Sequence, residues 1–336
     1  MGWTNYGCVG AYTLLFFTLN MSARFLDTIT QIPFLKQQRY AVLCVDLIIE
    51  NEQGEILIEK SGVPPMKDKW ILPSGYAYVE DDNIQASAIR SVKEEIGLDI
   101  ELSYLIDVLG DPDSKPPADP RFYGVQVIFA ARPKPGCTFD IPTEFVQECK
   151  WVKPHYLFWK RLGYNHNKVL RRYIQKKHSG KLIPASRSFY TDNFGTIYNY
   201  RDNDFMHTVA MGIVLNEQNE ILLAHRAQDP FKDTWDLPGG HMYVYESIEE
   251  CLKREVREEL GVECTIGDLF HVYSDKGMSP RFARAMILYF IKIKSHHFVK
   301  NVEMDDFRYF PLDDLPSLAY HLDAAMKDIR HKVQEK

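Results

Sequence analysis

Between Gly240 and Val262 the chain reads GHMYVYESIEECLKREVREELGV. The residues able to do chemistry here are the carboxylates Glu255, Glu258 and Glu259, with the guanidinium of Arg254 just before them. On a helix, Glu255 and Glu259 share a face and Glu258 stands one residue round from it. Arg254 precedes Glu258 by one helical turn and can pair with it. Carboxylates at this spacing repel unless positive charge sits among them. A hard divalent cation with oxygen ligands supplies that charge, and Mg²⁺ is the usual choice where phosphate is handled. A solvated helix face compensated by Arg254 and Arg257 answers to the same bare spacing. The flanking residues separate the two readings. Leu237-Pro238-Gly239-Gly240 lets backbone approach a ligand closely, and Glu246 brings another carboxylate to the loop–helix junction.

The element that must position these groups is legible. Ser247 and Glu250 form an S-x-x-E capping box, which starts a helix. Ile248, Leu252, Val256 and Leu260 recur every four residues as its buried stripe. Gly261 stops it.

With those residues in view, the stretch resembles the Nudix box at every fixed position: Gly240, Glu246, then Arg254-Glu255-Val256-x-Glu258-Glu259-x-Gly261-Val262. The resemblance implies an α+β fold of two Nudix-type α/β/α sandwich domains with mixed sheets. It also implies hydrolysis of a nucleoside diphosphate linked to another group, with Mg²⁺ or Mn²⁺ as cofactor. Glu255 and Glu259 would be metal ligands, with the Gly240 carbonyl an additional one. Glu258 would be a ligand or the base for the attacking water, and Arg254 would orient the carboxylates. Some relatives place the base on a downstream loop, where Glu303 is the candidate, with Asp305 and Asp306 behind it. The physics agrees, since diphosphate hydrolysis needs neutralised phosphate charge and a positioned water.

A second copy lies upstream. NEQGEIL at 51–57 answers NEQNEIL at 216–222, and KDKWILPSG at 67–75 answers KDTWDLPGG at 232–240. PRF occurs at 120–122 and again at 280–282, and Leu162-Gly-Tyr answers Leu318-Ala-Tyr. Matched blocks in one order mean a duplicated domain. The expected boundaries are an N-terminal extension at 1–38, a first domain at 39–178, a linker with a hairpin at 179–204 and a second domain at 205–336. Each copy should run strand, turn, strand, Leu-Pro loop, helix, strand and C-terminal helix. The expected strands lie at 40–49, 55–59 and 123–130, then at 208–215, 220–224 and 283–293. The expected helices lie at 83–96 and 247–260.

The first box is degenerate. Its window reads GYAYVEDDNIQASAIRSVKEEIGL, from Gly75 to Leu98. Arg90, Glu94, Glu95 and Gly97 match, while Ser91 stands where Glu255 stands. The Gly-to-Arg spacing is one residue longer, so Glu80 or Asp81 must serve for Glu246. A hydroxyl is a poor substitute for an anionic ligand, so the first copy is expected to be structural or binding, and the second to carry turnover.

Composition sets the class. The 336 residues are 45% hydrophobic and 26% charged with formal net charge −6, which fits globular domains and not a strongly basic nucleic-acid binder. Six cysteines without a C-x-x-C pair suggest neither zinc nor a disulfide scaffold and fit a reducing, cytoplasmic setting. The apolar run at 8–19 is shorter than the roughly 20 residues of a spanning helix. The working chain is expected to start near Met21. The partner expected is a small nucleotide, with neither nucleic acid nor membrane, and a homodimer stays open. Substrate contacts are expected from Arg281 and Arg226. A Pro-Arg after the box is similar to that of Nudix enzymes acting on ADP-ribose and ADP-sugars, and Asp119-Pro120-Arg121 matches better than Ser279-Pro280-Arg281. Tyr190, Tyr198 and Tyr200 are expected to cover an apolar edge or a dimer contact. Lys160, Arg161, Lys168, Arg171, Arg172, Lys176 and Lys177 are expected on a solvated helix face. His166 and His321 are expected as equivalent packing residues. The alternative to hydrolysis is a nucleotide- or ADP-ribose-sensing protein without turnover, which the intact second box disfavours.

Overall fold

The computed structural model describes residues 41–110, 119, 123–139, 145–185, 206–244, 246–275 and 283–335. The apolar run at 8–19, Met21, Tyr190, Tyr198, Tyr200, the linker hairpin, Arg121 and Arg281 lie outside the described residues.

The first copy comprises β1 (Val42–Ile49), β2 (Ile56–Ser61), β3 (Trp70–Ile71), β4 (Ser74–Tyr76), α1 (Ile84–Ile96), β5 (Ile100–Gly110), β6 (Gly124–Pro133), β7 (Val146–Val152), a single turn α2 (Pro154–Leu157), α3 (His166–Ser179) and β8 (Ile183–Pro184). The second repeats it as β9 (His207–Ile213), β10 (Ile221–Arg226), β11 (Trp235–Asp236), β12 (Gly239–His241), α4 (Ile248–Leu260), β13 (Cys264–Asp275), β14 (Arg284–Ile293), β15 (Met304–Phe310) and α5 (Asp323–Gln334).

The larger sheets run β4-β1-β6-β5-β8 and β12-β9-β14-β13, and the smaller ones β3-β2-β7 and β11-β10-β15. β1–β6 and β9–β14 pair in parallel and the other strand pairs of these sheets antiparallel, so both large sheets are mixed. β1 is buried on both faces because α1 packs on one side and α3 on the other. This layering is the expected α+β sandwich, made twice. Ile183–Pro184, in the expected linker, adds β8 to the first sheet by pairing with β5.

Local signals set the box helices. In α4 the Ser247 hydroxyl accepts from Glu250 N–H, and the Glu250 carboxylate accepts from Ser247 N–H. Gly261 closes the helix at φ 72°, a left-handed conformation that favours glycine. The stripe Ile248, Leu252, Val256 and Leu260 is buried, joined by Cys251. In α1, Ile84, Ala88, Val92 and Ile96 are buried likewise, and Asn83 caps Ala86 N–H.

The two copies share one core. Leu43, Val92 and Phe129 of the first copy belong to the same apolar cluster as Ala210, Val256 and Ile287 of the second. Ile84 N–H at the start of α1 donates to Ser274 Oγ of β13 at 2.6 Å. Met206 N–H donates to the Ala77 carbonyl at 3.1 Å. Gly110, which ends β5, sits where an added Cβ would press on Met242 and touch Ile248, the first residue of α4. Each helix start therefore lies beside the end of the other copy's long strand.

The basic helix α3 presents the expected solvated face, with Lys168, Arg171, Arg172 and Lys177 exposed, and three of its cations also have carboxylate neighbours. Lys176 pairs with Asp107 at 3.2 Å, Arg172 stands 3.7 Å from Asp107, and Lys177 pairs with Glu50 at 2.7 Å. His166 and His321 are not equivalent. Tyr164 and Tyr320 share a left-handed φ near 50°. That aligns His166 with Leu322. His166 is buried, and its Nδ1 accepts from Leu72 N–H at 2.8 Å. No helix among the described residues is long and apolar enough to cross a membrane.

Candidate active site

The loop from β11 to β12 delivers backbone to the face of α4. Gly239 takes φ 147°, and a Cβ there would run into the Ala210 carbonyl of the paired strand β9. At Gly240 a Cβ would collide with the Glu255 carboxylate. Only glycines permit this approach, so the Leu-Pro-Gly-Gly run and the helical carboxylates form one constellation.

The three carboxylates differ in setting. Glu259 is buried at 5% exposure, and its carboxylate accepts from Gly239 N–H at 2.8 Å. Burial, added to the charges of Glu255 and Asp236, pushes its pKa well above the usual carboxylate range. Glu255 is mostly buried, and burial raises its pKa more than Arg254 lowers it. Glu258 stands at the rim with its side chain 60% exposed.

Arg254 ties the set together. Its Nε and Nη2 bond both oxygens of Glu246 at 3.0 and 2.7 Å, and its Nη1 reaches Glu255 at 2.6 Å and Glu258 at 3.2 Å. The Tyr243 ring lies 4.5 Å beneath it. Arg257, expected to help compensate this face, instead pairs with Glu263 at 2.7 Å.

Tyr243, Arg254, Glu255, Glu258 and Glu259 line a cavity of about 320 Å³ together with Gly239, Gly240, Arg226, Asp236, Arg284, Glu303 and Tyr320. Arg226 donates to Asp236 at 3.1 Å and to the Pro230 carbonyl at 2.9 Å. Glu303 is exposed, and its carboxylate makes no hydrogen bond among the described residues. Asp305 and Asp306 are engaged elsewhere, with His225 at 2.6 Å and Arg308 at 2.6 Å. Sequence reasoning missed Asp236, Arg284 and Tyr320, which only strand pairing and the turn before α5 bring together.

The first copy repeats the clamp and loses the rest. Arg90 bonds both oxygens of Asp81 at 2.6 and 2.8 Å and lies 4.6 Å over Tyr78. Asp81, not Glu80, thus takes Glu246's place, and the one-residue-longer loop offsets its shorter side chain. Ser91 turns back to the Ser87 carbonyl at 2.7 Å, where Glu255 would project. Glu95, in Glu259's position, has Glu59 as neighbour instead of a glycine N–H. One buried oxygen of each lacks a hydrogen-bond partner among the described residues. Burial pushes Glu59 up to about 8, and burial plus the Glu59 charge raises Glu95 well above the usual range. Glu94 is exposed and paired with Arg90 at 2.9 Å.

A family model described as the NUDIX domain matches residues 40–173 and 206–332. An ADP-ribose pyrophosphatase of Methanocaldococcus jannaschii is 30% identical over 125 residues, spanning 37% of this chain and 74% of that protein. The human 8-oxo-dGDP phosphatase NUDT18 is 43% identical over 80 residues, which are 24% of each chain. Among solved structures, a MutT Nudix hydrolase from Burkholderia pseudomallei is 24% identical, with TM-score 0.34, covering 36% of this chain and 96% of that one. With two segments matched over most of its length, the chain belongs to the Nudix family and is a tandem Nudix hydrolase.

Proposed function

We propose that the second domain, residues 205–336, hydrolyses a nucleoside diphosphate linked to another group and releases a nucleoside monophosphate and a phosphorylated product. The observation that carries this is one cavity lined by Gly240, Glu255, Glu258 and Glu259. The first domain, residues 39–178, supports it through the shared core, and 179–204 connects them. Residues 1–38 precede the folded pair. The relatives act on ADP-ribose and on oxidised dGDP by name. Both are diphosphates, and the sequence expectation favours the ADP-ribose or nucleotide-sugar type.

The donor set fits a hard divalent cation. Its atoms are all oxygen, and Glu259 is buried with a single N–H to satisfy it, a setting that favours a cation. Among the described residues no trio of such groups is drawn into a ligand cluster, because Arg254 holds Glu255 and Gly239 holds Glu259. Glu255, Glu259 and the Gly240 carbonyl would hold Mg²⁺ or Mn²⁺, with Glu258 at the edge. Bound there, the cation would neutralise phosphate oxygens and acidify water. Glu258, exposed and steadied by Arg254, is placed to accept the proton as water oxygen bonds phosphorus and the bridging P–O bond breaks. Glu303 is the second group able to take that proton. Arg226 lines the same cavity as a substrate contact, and the sequence reading adds Arg281 as a second.

Among the described residues, those lining the cavity all come from the second copy. The described cysteines, Cys44, Cys137, Cys149, Cys251 and Cys264, are free thiols.

The test is Mg²⁺-dependent turnover of ADP-ribose, ADP-glucose, GDP-mannose, NADH and 8-oxo-dGDP by wild type, Glu258→Gln and Glu94→Gln. Turnover lost only in Glu258→Gln is expected. Absence of turnover on every member, with nucleotide binding intact, would overturn the hydrolase reading in favour of sensing.

A further inference from the structure

Arg284, the first residue of β14, is only 3% exposed, yet it lines the cavity. Its guanidinium lies 3.6 Å over the Tyr320 ring, and Nη2 meets the Met286 sulfur at 3.3 Å. Nε has no hydrogen-bond partner among the described residues. The carboxylate whose charge acts on it, Asp236, is 3% exposed and already accepts from Arg226 at 3.1 Å and from Leu237 N–H at 2.9 Å. Two guanidinium groups thus share one carboxylate at the buried end of the cavity. A buried charge without its own counter-charge is costly. Such a group is retained where a ligand completes it.

The first copy lacks this arrangement. Strand registers place Gly124 opposite Val42 as Arg284 stands opposite His207. They likewise place Ser61 where Arg226 stands and Ile71 where Asp236 stands. Asp46, Gln126 and Asn165 instead bond one another, with Gln126 donating to Asp46 and to Asn165 at 2.9 Å. Tyr164 and Tyr320 are the shared remnant.

Position sets what end of a substrate arrives there. β9 lies between β12 and β14, so Arg284 stands two strand spacings, about 10 Å, from the strand that carries Gly240. A nucleotide with its diphosphate over Glu255 and Glu259 spans that distance with its sugar and base. The proposal therefore rests on the diphosphatase reading of the same site.

We propose that Arg284, set by Tyr320, is the specificity-determining contact for the base, and that it selects a guanine-type oxopurine over adenine, which within the diphosphatase reading favours a GDP-linked nucleotide sugar over ADP-ribose. A guanidinium only donates. Guanine presents two adjacent acceptors, O6 and N7, whereas adenine places an N6 amino donor beside N7. A guanidinium edge therefore matches guanine and opposes adenine, and glutamine reverses the preference.

Calorimetric binding of GMP, AMP and ribose 5-phosphate to the full metal-free chain tests this without requiring turnover. Wild type is expected to bind GMP at least about tenfold more tightly than AMP, the size of one good base contact. Arg284→Gln should erase or invert that ratio, and Arg284→Lys should keep a reduced one. In turnover the same variants should change the ratio of GDP-linked to ADP-linked kcat/KM, mainly through KM. Equal binding of GMP and AMP to wild type, binding of neither, ribose 5-phosphate competing as well as GMP, or a preference surviving in Arg284→Gln would each overturn it. Loss of hydrolysis with the base ratio intact would instead count against the diphosphatase reading alone.

Discussion

Arg254 grips Glu246 through two parallel hydrogen bonds and, with its remaining nitrogen, holds Glu255 and Glu258 side by side. Burial opposes the Arg254 charge, but the carboxylates outweigh it and raise its pKa. Lysine carries the charge without the planar fork. Arg254→Lys should therefore lower kcat on the order of 10- to 100-fold, the range seen when a supporting group of a metal site is lost. Its melting temperature should stay close to wild type. Steady-state rates beside a thermal melt decide the matter, and unchanged kcat would remove Arg254 from the positioning role.

The first copy offers an internal control. Ser91 fills the place of Glu255 and spends its hydroxyl on the Ser87 carbonyl. Glu94→Gln should leave turnover within about twofold of wild type, while Glu255→Gln should cost about 100-fold or more, as for a charged group acting on the transition state. Equal losses from both variants would mean that the first copy is active.

What was legible in the sequence was local. Ser247, Glu250 and Gly261 bound α4 because capping acts within one turn, and its stripe follows from the helical repeat. Long strands β5 and β13 were harder to read. Register shifts at Leu102–Tyr104 and Leu105–Asp107 in β5, and two more in β13, break the alternation that marks a strand. Glu59 sits on a strand with no motif, so its approach to Glu95 depends on the packing of α1 over β2. Arg284 and Tyr320 lie far apart in sequence and meet only through the sheet and the turn before α5.

The Glu59–Glu95 pair gives stability a pH dependence of known sign. Glu59 has an ordinary value of 4.5, and burial raises it to about 8 in the folded chain. Between these values the folded state keeps a proton that the unfolded state releases, so stability falls as pH rises through that window. Melting temperature should drop from pH 5 to pH 8 more steeply in wild type than in Glu59→Gln, which should also be the more stable at pH 8. Parallel profiles for the two proteins would remove the pair as the cause.

Ser274 joins the two copies at the start of α1, where its hydroxyl accepts from Ile84 N–H across the shared core. Both partners are buried. Ser274→Ala leaves a buried donor unsatisfied, at a cost of about 1–3 kcal/mol. Because residues of both copies pack into one apolar cluster, that loss should lower a single cooperative transition rather than detach one half. Circular dichroism and calorimetry should give coincident midpoints for wild type and variant, with the variant's lower. Two separated transitions would mean that the copies fold as independent bodies, and an unchanged midpoint would mean that the Ser274 contact contributes nothing.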